Sequence, residues 1–306
     1  MKRVILAGLA CVAVTTALVA QSADEKTLAK YLDDHQSEGI ALLEKAVNIN
    51  SGTNNHAGVK KVGDLFRAEF DALGFKTSWV DGAAFGRAGH LVAEHAGSGP
   101  KILLIGHLDT VFEPSSPFQK FERVDANTAK GPGIIDMKGG DVVIIQALKA
   151  LKAANALNTM HIVVVMTGDE EEAGTPREKA REALVTAATG AQYAIGFEDG
   201  DGNPAHAITA RRGTESWRLT VKANTGHSSQ IFTPTMGNGA IFEAARILNT
   251  FREKLGGEAH LTFNPGAIVG GTATTMDGES GTASGKTNVV AAETVVTGDM
   301  RALTLD

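Results

Sequence analysis

KILLIGHLDT, residues 101–110, decides the architecture. Lys101 to Ile105 is a short apolar run with no polar alternation, the pattern of a strand covered on both faces. It breaks at Gly106 into two polar residues, His107 and Asp109. The same type of run recurs as His161–Met166, with three valines at its centre, and as Ala191–Phe197. Helical segments separate these runs: Gly139–Leu157, rich in Ala, Leu and Ile, and Arg177–Ala188, which carries several charges. Strands alternating with helices predict an α/β fold, a mainly parallel sheet with helices on both faces.

Working outward, the apolar spacing of Leu28, Leu32, Ile40, Leu43 and Val47 predicts a helix over 24–48. A second helix, Val59–Leu73, is closed by Gly74. Short strands follow at 75–80 and 90–95, and a long loop runs from Asp109 to Asp136. After Arg212 the pattern changes. Glu215–Ala223 alternates as a half-exposed strand, Gly237–Leu255 is an amphipathic helix, and Leu261–Val269 and Asn288–Met300 are strand-like. That is an inserted α+β module. The expected boundaries are 24–211 for the first domain and 212–300 for the insert, with 301–306 starting the return.

A chain of 306 residues is comfortable for two domains. Its net charge is −6 and it has no basic block, which argues against a nucleic-acid partner. Lys2 and Arg3 precede an apolar run, Val4–Ala20, with small residues at 20–23; residues 1–23 therefore read as an export signal. The expected location is periplasmic or secreted, without stable membrane insertion after cleavage. A membrane anchor is the other reading of that run. The single cysteine, Cys11, lies inside it, so the mature chain has no disulfide, cysteine nucleophile or thiolate ligand.

Four polar clusters sit where apolar strands end or at the loop between them. His107 and Asp109 are two apart, so in extended backbone they point the same way, and the carboxylate can orient the ring while the other nitrogen binds a metal. A strand-end histidine beside a surface aspartate reads equally well. Asp136, in GPGIIDMKGG at 131–140, stands just before a helix, where capping is the ordinary job of Asp. The glycines around it permit a close backbone approach that a cap does not need. Asp169-Glu170-Glu171-Glu172 follows the Val-rich strand; four carboxylates there repel one another, and a cation offsets that. A solvated acidic loop is the alternative. Glu198-Asp199 follows the third strand. Ligands of open α/β sheets gather beyond the carboxyl ends of the strands. A histidine and several carboxylates on that rim point to a divalent cation, and His/Asp/Glu without Cys suits catalytic zinc.

At these residues the sequence resembles the co-catalytic zinc exopeptidases that include glutamate carboxypeptidase, aminoacylase and succinyl-diaminopimelate desuccinylase. The matching stretches are GHLDTVF at 106–112, GPGIIDMKGG at 131–140, TGDEEEAG at 167–174, FEDG at 197–200 and TGHSS at 225–229, in the family's order. The resemblance implies a zinc exopeptidase-like catalytic domain with an inserted lid, or dimerisation, domain. It makes His107 a zinc ligand with Asp109 behind it, Asp136 the bridge between two zinc ions, Glu170 the general base, and Glu171 and Glu198 further ligands. Glu171/Glu172 is the alternative base/ligand pair, and Asp199 the alternative to Glu198. His227 corresponds to a lid histidine that reaches a neighbouring subunit's site in dimeric members, so a homodimer is expected. Arg301 corresponds to an arginine that helps hold a substrate carboxylate, and Asn288 to a nearby polar contact. The implied reaction is hydrolysis of a peptide or N-acyl amino acid through a metal-bound water.

The family supplies a final zinc-ligand histidine from a segment after the lid. Past His227 only His260 remains here, so the resemblance implies that the 306 residues are a fragment whose own hydrolytic activity is low. A non-catalytic metal- or peptide-binding paralogue is the rival reading. A serine hydrolase is excluded by the absence of GxSxG. A P-loop at Gly285-Lys286-Thr287 is excluded because Ser280 stands where glycine is required.

Overall fold

The computed structural model describes residues 22–198, 200–203, 205–278 and 280–304. The expected export signal, Cys11 and Asp199 lie outside the described residues, apart from the last two signal residues, Ser22 and Ala23. The chain divides into two compact units, Met1–Gly202 and Asn203–Asp306. Among the described residues no helix is long and apolar enough to cross a membrane.

The first unit opens with α1 (Ala23–Val47) and α2 (His56–Leu73). Ser22 caps α1: its hydroxyl accepts from Glu25 N–H, and the Glu25 carboxylate accepts from Ser22 N–H. Gly74 ends α2 at φ 91°, a left-handed conformation that costs glycine nothing. Strands β1 (Lys76–Asp81), β2 (Gly89–His95) and β3 (Lys101–His107) follow, then a two-stranded ribbon of β4 (Glu122–Arg123) and β5 (Ala129–Lys130). Next come α3 (Gly139–Ala153), β6 (His161–Thr167), α4 (Arg177–Ala188) and β7 (Tyr193–Gly196).

The main sheet has the order β1-β2-β6-β3-β7. Strand β3 pairs in parallel with both β6 and β7, whereas β2 runs antiparallel to β1 and β6. Four of the five strands therefore share one direction, and β2 alone is reversed. One face carries the larger core, where Val59, Val62, Phe66 and Phe70 of α2 and Ile144, Ile145 and Leu148 of α3 pack on Leu104, Ile162 and Val164. Leu103, Val163 and Val165 pack with Leu184 and Ala187 of α4 on the other face. This two-sided burial is why β3 and β6 read as unbroken apolar runs. Each fully buried aliphatic or aromatic side chain contributes roughly 1.5–3 kcal/mol.

Helix α3 stops at Ala153, short of the 157 expected from its Ala and Leu content, because Asn155 turns left-handed at φ 57°.

The second unit contains β8 (Gly213–Lys222), α5 (Gly239–Leu255), β9 (Thr262–Gly271), β10 (Ala273–Asp277), β11 (Ser280–Ser284) and β12 (Glu293–Ala302). Strands β8, β12 and β9 form an antiparallel sheet, and β10 and β11 a hairpin. Ala240 and Ala244 of α5 bury against Val221 of β8.

Candidate metal centre

His107 closes β3 and is almost completely buried. Its Nδ1 lies 3.1 Å from the Asp109 carbonyl and 3.5 Å from the Asp109 carboxylate. Its Nε2 lies 2.9 Å from Asp136 Oδ1. The ring is therefore held from behind by Asp109 and presents its other nitrogen to Asp136.

Asp136 sits in a tight loop, Ile134–Lys138, which Lys138 N–H closes by donating to the Gly133 carbonyl at 2.7 Å. Two glycines follow because the chain is crowded there. A Cβ on Gly140 would stand 2.1 Å from the Phe197 carbonyl oxygen, so the end of β7 lies against the start of α3.

The acidic run after β6 is dispersed by its neighbours. Asp169 is fully buried; it accepts from Gly174 N–H and Arg181 Nη1, the latter at 2.6 Å, beside buried His90. Burial lowers the His90 pKa, partly offset by the Asp169 charge. Glu172 is exposed and accepts from Arg87 and Asn54. That leaves Glu170, exposed, and Glu171, half-buried. Their amides donate to the two Asp109 carboxylate oxygens at 3.0 and 3.2 Å, and Thr53 Oγ1 donates to Asp109 at 2.7 Å. Asp109 thus positions the glutamate turn as well as the imidazole.

Ligand atoms of His107, Asp136 and Glu171 all lie within 4.8 Å of one another. Burial opposes charge on His107, but Asp109, with Asp141 and Glu170 beyond it, outweighs burial and pushes the imidazole up to about 10. Burial and the neighbouring Asp136 charge push Glu171 up to about 7. Burial also works against the Asp109 carboxylate, yet His107, Thr53 and the Glu170 amide hold it below its usual range. One imidazole and two carboxylates therefore converge, and the upward shifts of His107 and Glu171 mean that a cation competes with protons there.

Of the expected ligands, Glu198 is exposed beyond β7 and does not join this group. In the second unit His227 Nδ1 receives Ser229 N–H and lies 2.8 Å from Ser229 Oγ, which puts the ring proton on Nε2. Ser228 N–H donates to the Asn288 carbonyl, so His227 and Asn288 are neighbours. Arg301 lies on β12 with its guanidinium beside Asp299.

Sequence reasoning passed over several residues that build the site. Thr53 sits in the SGTNN loop and looks like a simple helix terminator. Arg181 is twelve residues from its partner. Lys138 and Asp141 are fully buried ionisable groups in a glycine-rich turn and an apolar helix, and burial pushes the Asp141 carboxyl well above its ordinary value; an acidic residue in an otherwise apolar helical start was the available signal for Asp141.

Comparison with known proteins places this architecture. The model of Peptidase family M20/M25/M40 matches residues 103–286. The chain belongs to that family. It is 30% identical to carboxypeptidase G2 of Pseudomonas sp. (strain RS-16) over 245 residues, 80% of this chain and 58% of that one. It is 29% identical to a probable succinyl-diaminopimelate desuccinylase of Staphylococcus aureus (strain MRSA252) over 226 residues, 72% of this chain and 52% of the relative. The fold matches the crystal structure of aminopeptidase PepT from Bacillus cereus ATCC 10987 with a TM-score of 0.66 at 20% identity, covering 88% of this chain and 67% of that one. The chain spans a little over half the length of these curated relatives.

Proposed function

We propose that this chain carries most of the catalytic centre of an exported, zinc-dependent, carboxypeptidase-like amide hydrolase. The observation that supports it best is the convergence of one imidazole and two carboxylates, His107, Asp136 and Glu171, with Glu170 beside them. Zinc bonds of about 2 Å space ligand atoms about 3.3 Å apart, and three protein ligands without cysteine is the usual catalytic set. The donor set fits. His107, Asp136 and Glu171 would hold the ion, Asp136 would serve both ions if two bound, and Glu198 would be a further ligand. When bound, zinc supplies Lewis acidity that polarises the scissile carbonyl and makes water acidic.

The chain's own groups do the rest. Asp109 fixes the imidazole from its Nδ1 side and holds the Glu170 and Glu171 amides. Glu170, exposed to solvent, accepts a proton from the attacking water and returns it to the leaving amine. The substrate is a peptide or N-acyl amino acid with a free carboxylate; the relatives' names, carboxypeptidase and desuccinylase, support that class. His227 keeps the catalytic role of a lid histidine that would stabilise the developing oxyanion, Asn288 and Arg301 keep their substrate-binding roles, and the second unit is proposed to dimerise.

Glu170→Gln tests the reading. Turnover of an N-acyl amino acid by the zinc-loaded protein is expected to fall about 10²- to 10⁴-fold with zinc content unchanged. An unchanged rate would sink the assignment of Glu170, and zinc binding without any turnover in the parent would favour the non-catalytic binder.

A further inference from the structure

Lys138 is a fully buried cation two residues after Asp136. No carboxylate lies within ion-pair distance of it among the described residues; Asp141, from the first turn of α3, acts on it only through its field. Its Nζ donates to two main-chain carbonyls, Ala46 at 3.0 Å and Ile49 at 2.9 Å. Ala46 is in the last turn of α1, where its carbonyl also accepts from Ile49 N–H, and Ile49 lies just past the helix; the helix dipole there favours a cation. An alkyl side chain would fill the same space without removing an ammonium from water. What the ammonium adds is a directed tie between the Asp136 loop and the end of α1.

The segment that receives this tie also holds the opposite side of the site. Ser51 O accepts from Thr110 N–H, and Thr53 N–H donates to Thr110 O. Asn50 donates to the Phe112 carbonyl at 2.9 Å. Thr53 Oγ1 donates to Asp109, which in turn holds the amides of Glu170 and Glu171. Residues 46–53 are thus a common brace. Its far end grips the His107–Asp109 turn and, through it, the glutamates; its near end grips the Asp136 loop through Lys138 alone among the side-chain bonds described.

We propose that Lys138 is a positioning residue for the metal centre: its two bonds to the end of α1 hold the Asp136 carboxylate opposite His107 and Glu171 before a cation arrives. The inference rests on the metal-site reading above. Outer groups that orient metal ligands typically account for about 10- to 100-fold in metal affinity.

The test is Lys138→Met, which keeps the volume of the stem and removes both bonds. Zinc affinity of the full chain, measured by competition with a chromophoric chelator, is expected to fall about 10- to 100-fold. The visible spectrum of the cobalt-substituted protein is expected to change, because the Asp136 ligand moves. A residue that only filled core space would alter the melting temperature and leave affinity and spectrum alone; parental affinity with a parental spectrum overturns the proposal. If Lys138→Met does not fold, hydrogen exchange in the parent decides. By linkage, zinc must slow exchange of the Asn48 and Ile49 amides at the end of α1, and equal exchange with and without zinc overturns the idea. A parent that binds neither zinc nor cobalt sinks the metal reading itself and this inference with it. A parent and a Lys138→Met variant that bind equally well sink this inference alone.

Discussion

Two strand ends in the first unit look alike in sequence and differ in the fold. Strands β6 and β7 are both short apolar runs followed by acidic residues. β6 lies between β2 and β3, and every residue from Ile162 to Thr167 is buried. Among the described residues β7 pairs with β3 only, and all four of its residues are exposed, Tyr193 at 59% and Ile195 at 47%. Beyond β6 the acids are sorted by what surrounds them: Asp169 is buried against Arg181, Glu171 faces His107 and Asp136, and Glu172 is tied to Arg87. Beyond β7, Glu198 is exposed and lies outside the His107, Asp136 and Glu171 group. An acidic run becomes a site where neighbouring elements divide it among distinct partners, and strand position in the sheet decides whether those neighbours exist.

The largest expected stability effect lies at the buried end. Arg181→Ala removes the partner of Asp169, whose side chain has no exposure, and leaves an uncompensated buried carboxylate. Loss of such a partner costs about 3–5 kcal/mol. On the same helix, Lys179→Ala breaks only the exposed Lys179–Glu182 pair and is expected to cost under about 1 kcal/mol. Urea unfolding of the two variants measures both. Similar small losses would mean that Asp169 is not held as described.

A smaller contrast compares the strands themselves. Ile162→Ala in β6 empties a site with 2% exposure and is expected to cost about 3 kcal/mol. Ile195→Ala in β7 removes a half-exposed side chain and is expected to cost about 0.5 kcal/mol. If Ile195→Ala were as damaging as Ile162→Ala, β7 would be covered in solution by something outside this chain's own packing.

The comparison also marks where the sequence was readable. Apolar runs located β3 and β6, because burial on both faces forbids alternation; a similar run located β7 although its residues are exposed, and Gly74 marked the end of α2. The exposure of β7 was hidden, since strand order depends on contacts between distant segments. The hairpin β10–β11 went unread: its Thr, Ser and Gly residues lack an apolar face, although Asp277-Gly278 is a hairpin turn signal. In the site, His107, Asp136 and the acidic run after β6 stood out because metal ligands come from few residue types, while the choice of Glu171 within that run rested on the family resemblance. Thr53, Lys138 and Arg181 could not, because their importance lies in which carbonyl or carboxylate they meet across the fold. Asp169 stood in the acidic run beside Glu170, and only the position of Arg181 separates the structural acid from the chemical ones.

The last contrast concerns pH and again sets the built site apart. In the metal-free chain His107 is pushed up to about 10 against an ordinary value of 6.5, so the folded state holds that proton more tightly than the unfolded chain. The resulting stability is fully present below about 6.5 and is lost as pH rises toward about 10. Glu171, pushed up to about 7 from 4.5, acts in the same direction at lower pH, but water screens it because it is only half-buried. Asp109 opposes them only in acid, where its protonation removes stability as pH falls. One proton of difference changes stability by about 1.4 kcal/mol per pH unit, which is roughly 3–6 °C in melting temperature for a unit of this size. Zinc needs the same nitrogen and carboxylate unprotonated, so its binding strengthens as pH rises. Melting curves recorded with chelator and with zinc between pH 6 and 9 should therefore diverge, the metal-free protein losing ground while the zinc-loaded protein holds. Parallel curves would show that zinc displaces no proton from His107.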